Sequence, residues 1–280
     1  MKRFIIAYLL TVAFAGQAQE RHALVVGIGQ YEDSRWGRIH GDSDVDYVME
    51  TLQKNGFKDI RTLRNEEATK KGIVSAFESL AQSCRPGDRV YVHFSGHGQQ
   101  ITDTDGDEAD GYDEAWIPYD AQPYYCESYK GENHLVDDEV NRILSCIRTR
   151  IGPSGRLLVV IDACHSGQAT REPGDSTVAR GFDKKFEIPV KKPKRIPPLS
   201  EDWITISACQ PYQVNWEVTK PAVGKLTWCL YRLGSKLRFL SNDSLKASII
   251  RTMQEYPGPL DQTPVMSGNV ESESVKDIFK

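Results

Sequence analysis

Two side chains able to do chemistry follow apolar runs in this sequence. Cys164 stands in Ile161-Asp162-Ala163-Cys164-His165-Ser166-Gly167, just past the aliphatic run Leu157 to Val160. A thiol leaving the end of a strand can be held as a thiolate by an adjacent base and act as a nucleophile, whereas most free cysteines are small buried apolar residues. His97 stands in Ser95-Gly96-His97-Gly98-Gln99, after the alternating stretch Arg89 to Phe94. Flanking glycines leave the backbone around an imidazole open, as an acid or base needs and a packed core histidine does not. Two neighbouring parallel strands ending in these residues would bring thiol and imidazole together where open α/β sheets collect their ligands.

The remaining elements must hold those two strand ends. Leu157 to Ile161 reads as a strand buried on both faces, and His22 to Gly29 as a hydrophobic first strand. Val45 to Phe57 has helical spacing at Val45, Val48, Met49 and Leu52, with Gly56 to stop it and Ser43 or Asp44 to cap its start. Asp59 to Leu63 reads as a strand, and Glu67 to Cys84 as a helix with Ile73, Ala76, Phe77 and Leu80 on one face. Trp203 to Cys209 is a further strand and Leu245 to Met253 a closing helix, while the polar residues after Gly268 are expected to fray. Strands alternating with helices imply parallel βαβ units with right-handed crossovers. The single Gly27-Ile28-Gly29 lacks a third glycine and an immediate helix, so a dinucleotide site is not indicated.

Composition narrows the class. A chain of 280 residues with net charge -4 and no basic stripe is not built for nucleic acid. Lys2 and Arg3, an apolar stretch from Phe4 to Ala15 and then Gly16-Gln17-Ala18 describe a secretory signal peptide over residues 1–18. The apolar run falls short of the ~20 residues a spanning helix needs, so no stable membrane anchor is expected, and the location is exported, periplasmic or secreted. Cys84, Cys126, Cys146, Cys164, Cys209 and Cys229 are widely spaced without a CxxC pair, which predicts at most one or two disulfides, a free Cys164 and no structural zinc. His93 and His97 are four apart on a strand, about 13 Å by strand rise, too far to share a metal.

Ser-Gly-His-Gly after one strand and Asp-Ala-Cys-His-Ser-Gly after a later one resemble the motifs of caspase-type cysteine peptidases, in particular metacaspases and bacterial caspase-like proteins. The similarity runs from about Arg21 to Gly268. It implies an α/β fold, a caspase-like three-layer sandwich with a mostly parallel central sheet flanked by helices. Residues 19–170 would form the large portion with the catalytic pair, 171–199 a basic, Pro-rich processing loop, and 200–280 the small portion of the same domain. Ser207-Ala208-Cys209, the Gln and Glu residues after it and Gly224 to Thr227 resemble the small-portion signature, with Cys209 structural. The resemblance further implies that Cys164 is the nucleophile, His97 its acid and base, the backbone N–H groups of Gly98 and Cys164 the oxyanion donors, and His165 a bystander. No third triad member is evident.

Asp162 and an aspartate at the first helix start, Asp44 with Asp42 as fallback, would line the first substrate pocket beside Ser95. Buried acids need a cation partner, so the substrates are expected to be proteins or peptides with Arg or Lys before the cleaved bond, and not Asp. Lys184, Lys185, Lys192 and Arg195 are the candidate self-cleavage positions, in a stretch that reads equally well as an uncut surface loop. Metacaspases also imply a monomer.

The chemistry requires no cofactor, but the loop Asp103-Thr104-Asp105-Gly106-Asp107-Glu108-Ala109-Asp110-Gly111-Tyr112-Asp113-Glu114 has the oxygen donors and turns of a Ca2+ site, or is a solvated acidic loop. The family's ligands would match Asp113, Asp137 and Asp138, yet its last ligand falls where this chain has Arg171 and Glu172, and Asp137 serves equally as the cap of a helix over Glu139 to Ile147. A clostripain-like or gingipain-like peptidase of the same clan, and a non-catalytic calcium-binding or partner-binding module on this fold, are the alternatives.

Overall fold

The computed structural model describes residues 19–164, 178–182, 184–190, 201–256 and 261–280. The expected signal peptide at 1–18 lies outside the described residues, as do His165, Arg171, Glu172, Lys192 and Arg195. In chain order the first half holds β1 (Arg21–Gly27), α1 (Gly41–Lys54), β2 (Asp59–Arg64), α2 (Lys70–Ser83), β3 (Arg89–Ser95), β4 (Gly98–Thr102), β5 (Tyr112–Trp116), β6 (Leu135–Val136), α3 (Asp137–Ile151) and β7 (Arg156–Asp162). The second half adds β8 (Ile204–Ser207), β9 (Glu217–Thr219), β10 (Ala222–Gly224), α4 (Lys225–Leu233), α5 (Asn242–Gln254), β11 (Val265–Gly268) and α6 (Lys276–Phe279).

A six-stranded sheet in the order β11-β8-β7-β3-β1-β2 runs through the centre, parallel except for the edge strand β11. Strand period puts alternate residues on opposite faces. Leu24, Val26, Val92, Phe94 and Val159 pack with Phe77 and Leu80 of α2 and Leu144 and Ile147 of α3 on one face. Ala23, Val25, Leu158 and Val160 pack with Val45 and Leu52 of α1, Leu226 of α4 and Ile249 of α5 on the other. Two apolar layers around one sheet explain why these strands read as near-continuous aliphatic runs. Beside it lie a small sheet β4-β5-β6 and the hairpin β9-β10.

Several element ends differ from expectation. Helix α1 begins at Gly41 behind His40, so Asp44 is not a cap but a fully buried residue of the first turn. Helix α3 begins at Asp137 itself, behind Val136, which removes Asp137 from the capping role. Past Gly268 the chain does not fray: Val275, Ile278 and Phe279 are buried, Phe279 against Phe57 and Tyr91. Apolar residues spaced along an otherwise polar tail were the available signal, and they fill the end of the second layer. Among the described residues no disulfide joins the cysteines, for which at most one or two were expected.

Candidate active site

The β3–β7 register pairs Ser95 with Asp162, and His97 and Cys164 each stand two residues beyond that pair at the carboxyl ends of adjacent parallel strands. The segment 178–182 crosses the same ends. Its residues Val178 to Arg180 run alongside 215–217: Glu217 N donates to Val178 O at 2.9 Å, Arg180 N to Asn215 O at 2.9 Å, and Ala179 bridges Trp216. The next residue, Gly181, forms a parallel bridge with Gly98, beside His97. The amide of Cys164 donates to the carbonyl of Arg180 at 2.8 Å. One peptide segment is therefore held between the backbone of the cysteine and that of the residue after the histidine, the two groups named as oxyanion donors.

The ring of His97 is oriented by Nε2, which lies 3.2 Å from the carbonyl of Gly37. A carbonyl only accepts, so Nε2 carries the hydrogen and Nδ1 is the basic nitrogen. Nδ1 is buried with no hydrogen-bond partner among the described residues. Tyr31 Oη accepts from the His97 amide at 2.7 Å, and Trp36 stacks on the ring at 5.8 Å between centroids. Burial pushes the imidazole down to about 4, against the opposing pull of the Gly37 carbonyl. Cys164 Sγ donates to Gln213 O at 2.9 Å, and Cys209 Sγ shares that acceptor at 3.5 Å. Sulfur donating to a carbonyl is a thiol, so in this arrangement both reactive groups are neutral, not a thiolate–imidazolium pair.

The side chain of Arg180 fills a buried acidic pocket. Its Nη1 donates to Asp44 Oδ2 at 2.6 Å, to Ser95 Oγ at 2.6 Å and to the Asp162 carbonyl at 3.2 Å. Asp162 Oδ1 is 3.7 Å from the same nitrogen, and Nε donates to Glu217 Oε1 at 3.0 Å. Each carboxylate is held by further donors: Gly224 N on Asp44 Oδ1 at 3.0 Å, Asn215 Nδ2 on Asp162 Oδ1 at 2.8 Å, and Thr227 N and Oγ1 on Asp162 Oδ2 at 2.8 and 2.7 Å. Burial pushes Asp44 up to about 6, and the neighbouring Asp162 adds to this against the pull of Arg180. Asp162 goes the other way: burial raises it, but Arg180, Asn215 and Thr227 outweigh burial and hold it below the usual range.

Asp44, Asp162 and Ser95 thus meet as the sequence implied. Asp42 does not join them; it faces Asn65 and Arg38 at 3.3 and 3.4 Å. Reading the sequence missed Arg180, Glu217, Asn215 and the Gly37 carbonyl. Val178-Ala179-Arg180-Gly181-Phe182 carried a signal: it is an apolar-flanked Arg-Gly in an otherwise Lys- and Pro-rich stretch. The candidate cleavage residues Lys184 and Lys185 sit elsewhere. Gln99 Nε2 donates to the Lys184 carbonyl at 2.7 Å, and the Lys185 ammonium lies 3.4 Å over the Tyr112 ring.

Comparison with known proteins places the chain in a family. The sequence profile described as Caspase domain matches residues 20–269. The chain belongs to the caspase domain family, a family of cysteine peptidases. Within it, the chain is 35% identical over 160 residues to Metacaspase-1 of Botryotinia fuckeliana and 34% identical over 160 residues to Metacaspase-1A of Aspergillus niger, matches that cover 54% of this chain. They span only 35% and 36% of those two relatives. Among solved structures, a Geobacter sulfurreducens protein matches with TM-score 0.62 and 24% identity over 89% of this chain and 92% of that one. Caspase-1 of Spodoptera frugiperda matches with TM-score 0.61 and 13% identity over 89% of this chain and 86% of that one.

The acidic loop of this caspase domain rearranges the expected ligand set. Asp113, Asp137 and Asp138 do not form one group. Asp113 lies with Asp103 and Asp107, Asp138 with Asp105 and Asp107, and Asp137 with Glu108 and Glu114, the ligand atoms of each group within 4.8 Å of one another. The clustering puts charge where it is costly: burial first and neighbouring carboxylates next push Asp113 and Glu114 up to about 7, Asp137 to about 8 and Asp138 to about 6. Among the described residues Asp105 Oδ1 and Asp113 Oδ1 are buried without a hydrogen-bond partner. Orphaned carboxylate oxygens in an all-oxygen donor set fit a hard cation such as Ca2+. Asp103, Asp105 and Asp107 are central to it, and spacing along the loop did not single them out.

Proposed function

We propose that this chain is an exported cysteine endopeptidase that cleaves peptide bonds after basic residues and cuts itself after Arg180. The observation that carries this reading is the seating of Arg180, with guanidinium among three carboxylates and carbonyl on the Cys164 amide. Such a residue stands as the residue before a scissile bond would, with its carbonyl on the Cys164 amide. The exported location rests on the composition of residues 1–18.

In the proposed reaction Cys164 Sγ attacks the carbonyl carbon after the basic residue while His97 Nδ1 takes the thiol proton. The developing oxyanion is met by the backbone N–H of Cys164 and of Gly98, the type of donor whose loss costs about 10² to 10³ in rate. His97 then returns the proton to the leaving amine, and water resolves the thioester. The Gly37 carbonyl stabilises the imidazolium formed between these steps and keeps the ring in register. Ca2+, held by Asp103, Asp107 and Asp113 or by Asp105, Asp107 and Asp138, would neutralise the loop that runs between β4 and β5. It is not part of the bond-breaking step.

Fluorogenic peptides with Arg, Lys or Asp before the reporter, assayed with and without Ca2+ on the wild type and Cys164→Ala, test this reading. Turnover after Arg or Lys that disappears in Cys164→Ala supports it. Preference for Asp, or turnover that survives Cys164→Ala, refutes it.

A further inference from the structure

We infer that Trp36 and Tyr124 form a subsite for an aromatic side chain on the second residue after the cleaved bond. The inference rests on the peptidase reading above, and it adds a requirement on the leaving side of the substrate, away from the acidic pocket. With the scissile bond between Arg180 and Gly181, the side chain in question is that of Phe182.

Phe182 sits in a seat built of rings. It meets Trp36 edge-on, at 4.9 Å between centroids and 61° between planes, and Tyr124 at 5.6 Å and 66°. These are the tilted contacts that aromatic quadrupoles favour, worth more than burial of the same area alone. Both partners are fixed by contacts other than those with Phe182. Trp36 closes the short helical turn Ser34–Trp36, which Asp33 caps by accepting from the Arg35 amide at 3.0 Å, and its Nε1 donates to the Ala121 carbonyl at 2.8 Å. The same turn holds Tyr124, because the Arg35 guanidinium lies 5.3 Å over its ring. Floor and wall are therefore set in advance, which lowers the ordering cost of filling the seat.

The seat adjoins the reacting groups. Trp36 stacks on the His97 ring at 27°, and the next residue, Gly37, supplies the carbonyl that holds His97 Nε2. The bridge from Gly181 to Gly98 sets the direction in which the chain leaves the scissile bond, and so carries the following side chain onto Trp36. Farther along, the segment has an attachment of its own: Phe186 is fully buried, its amide donates to the Gln100 carbonyl at 2.7 Å, and its carbonyl accepts from the Thr102 amide at 3.0 Å. After a cut at Arg180, Phe182 is therefore free to leave while Phe186 stays on β4. Its departure uncovers apolar ring surface beside the imidazole. An aromatic side chain of a substrate covers that surface again and keeps water from His97, and an alanine there does not.

The test uses internally quenched peptides with Arg before the bond, Gly after it and Phe, Leu or Ala next, otherwise identical. Values of kcat/KM are measured on the full chain with Ca2+ for the wild type, Tyr124→Ala and Trp36→Leu. Because the Phe/Ala ratio is taken within each variant, a loss of folded protein, or a change at His97 common to all peptides, cancels from it. The wild type is expected to cleave the Phe peptide about tenfold faster than the Ala peptide and at least about twofold faster than the Leu peptide. Each variant should lower the Phe/Ala ratio at least about threefold. A fluorogenic Arg reporter, with only its fluorophore after the bond, is run alongside to read the peptidase activity by itself. Equal wild-type rates on Phe and Ala, or a ratio unmoved in both variants, with the Arg reporter still cleaved, overturn the inference and leave the peptidase reading standing. Absence of turnover on the reporter and on every peptide overturns the two together.

Discussion

Asp44 and Asp162 show how neighbours of one chemical type acquire different duties. Asp162 receives Asn215 and both donors of Thr227 and stays charged, a fixed floor for the pocket. Asp44 is as deeply buried but less well compensated, and sits at about 6. Below that value it binds a proton, becomes neutral and ceases to pair with an incoming guanidinium; above it the charge is present. The Arg180 guanidinium holds Asp44 down to that value, and an open pocket lacks it. Cleavage after Arg should therefore weaken already as pH falls toward 6, and Asp44→Asn should flatten that limb while lowering kcat/KM at pH 7.5 roughly tenfold or more, as for loss of one partner of a buried charge pair. A pH–rate profile of the two proteins checks both points. The spacing of Asp162 and Ser95 from the reactive pair made them legible in the sequence. Glu217 was not, because it reaches the site from a hairpin 55 residues beyond Asp162, and only the pairing of 178–180 with 215–217 brings it in.

Among the elements, β3 and β7 were the most legible, since aliphatic runs followed by Gly-His-Gly and Ala-Cys leave little choice of role. Helix starts were less so: α1 and α3 begin ahead of the first apolar-periodic residue, and their opening acids turn into the cluster around Arg180 and the acidic loop and do not cap. The loop from β4 to β5 with the start of α3 carries a prediction of its own. Asp113, Glu114, Asp137 and Asp138 have folded-state values above their ordinary ones, so the folded protein binds more protons than the unfolded chain between about pH 4 and 8. Stability of the ion-free protein then falls as pH rises across that window. Ca2+ should reverse the loss, raising Tm more at pH 8 than at pH 5.5, and Asp113→Asn should blunt the response. Thermal melts with EDTA or Ca2+ at the two pH values measure it; a calcium shift that is the same at both, or absent, contradicts the assignment of this loop.

At the scale of the whole molecule, the two apolar layers close only when the C-terminus packs back. Phe279 lies 6.2 Å from Phe57 and 6.0 Å from Tyr91, ring to ring, so residues read as a polar tail complete the layer that carries α1 and its Asp44. Phe279→Ala should cost about 3 to 5 kcal/mol, the range for emptying an aromatic core site, visible as a lower denaturation midpoint with an unchanged Arg/Lys preference. The layered α/β architecture was legible because alternation of strand and helix needs only hydrophobic period. The seating of 178–182 was not, since it depends on hydrogen bonds between segments that are distant in sequence.

That seating is the centre of the account. Mass spectrometry of the purified full chain, incubated with Ca2+ beside Cys164→Ala, reads it directly. The account predicts a new N-terminus at Gly181 in the wild type, an intact chain in Cys164→Ala, and suppression by Arg180→Ala. Cleavage beginning instead after Lys184 or Lys185, or cleavage at Gly181 that persists without the thiol, would contradict it.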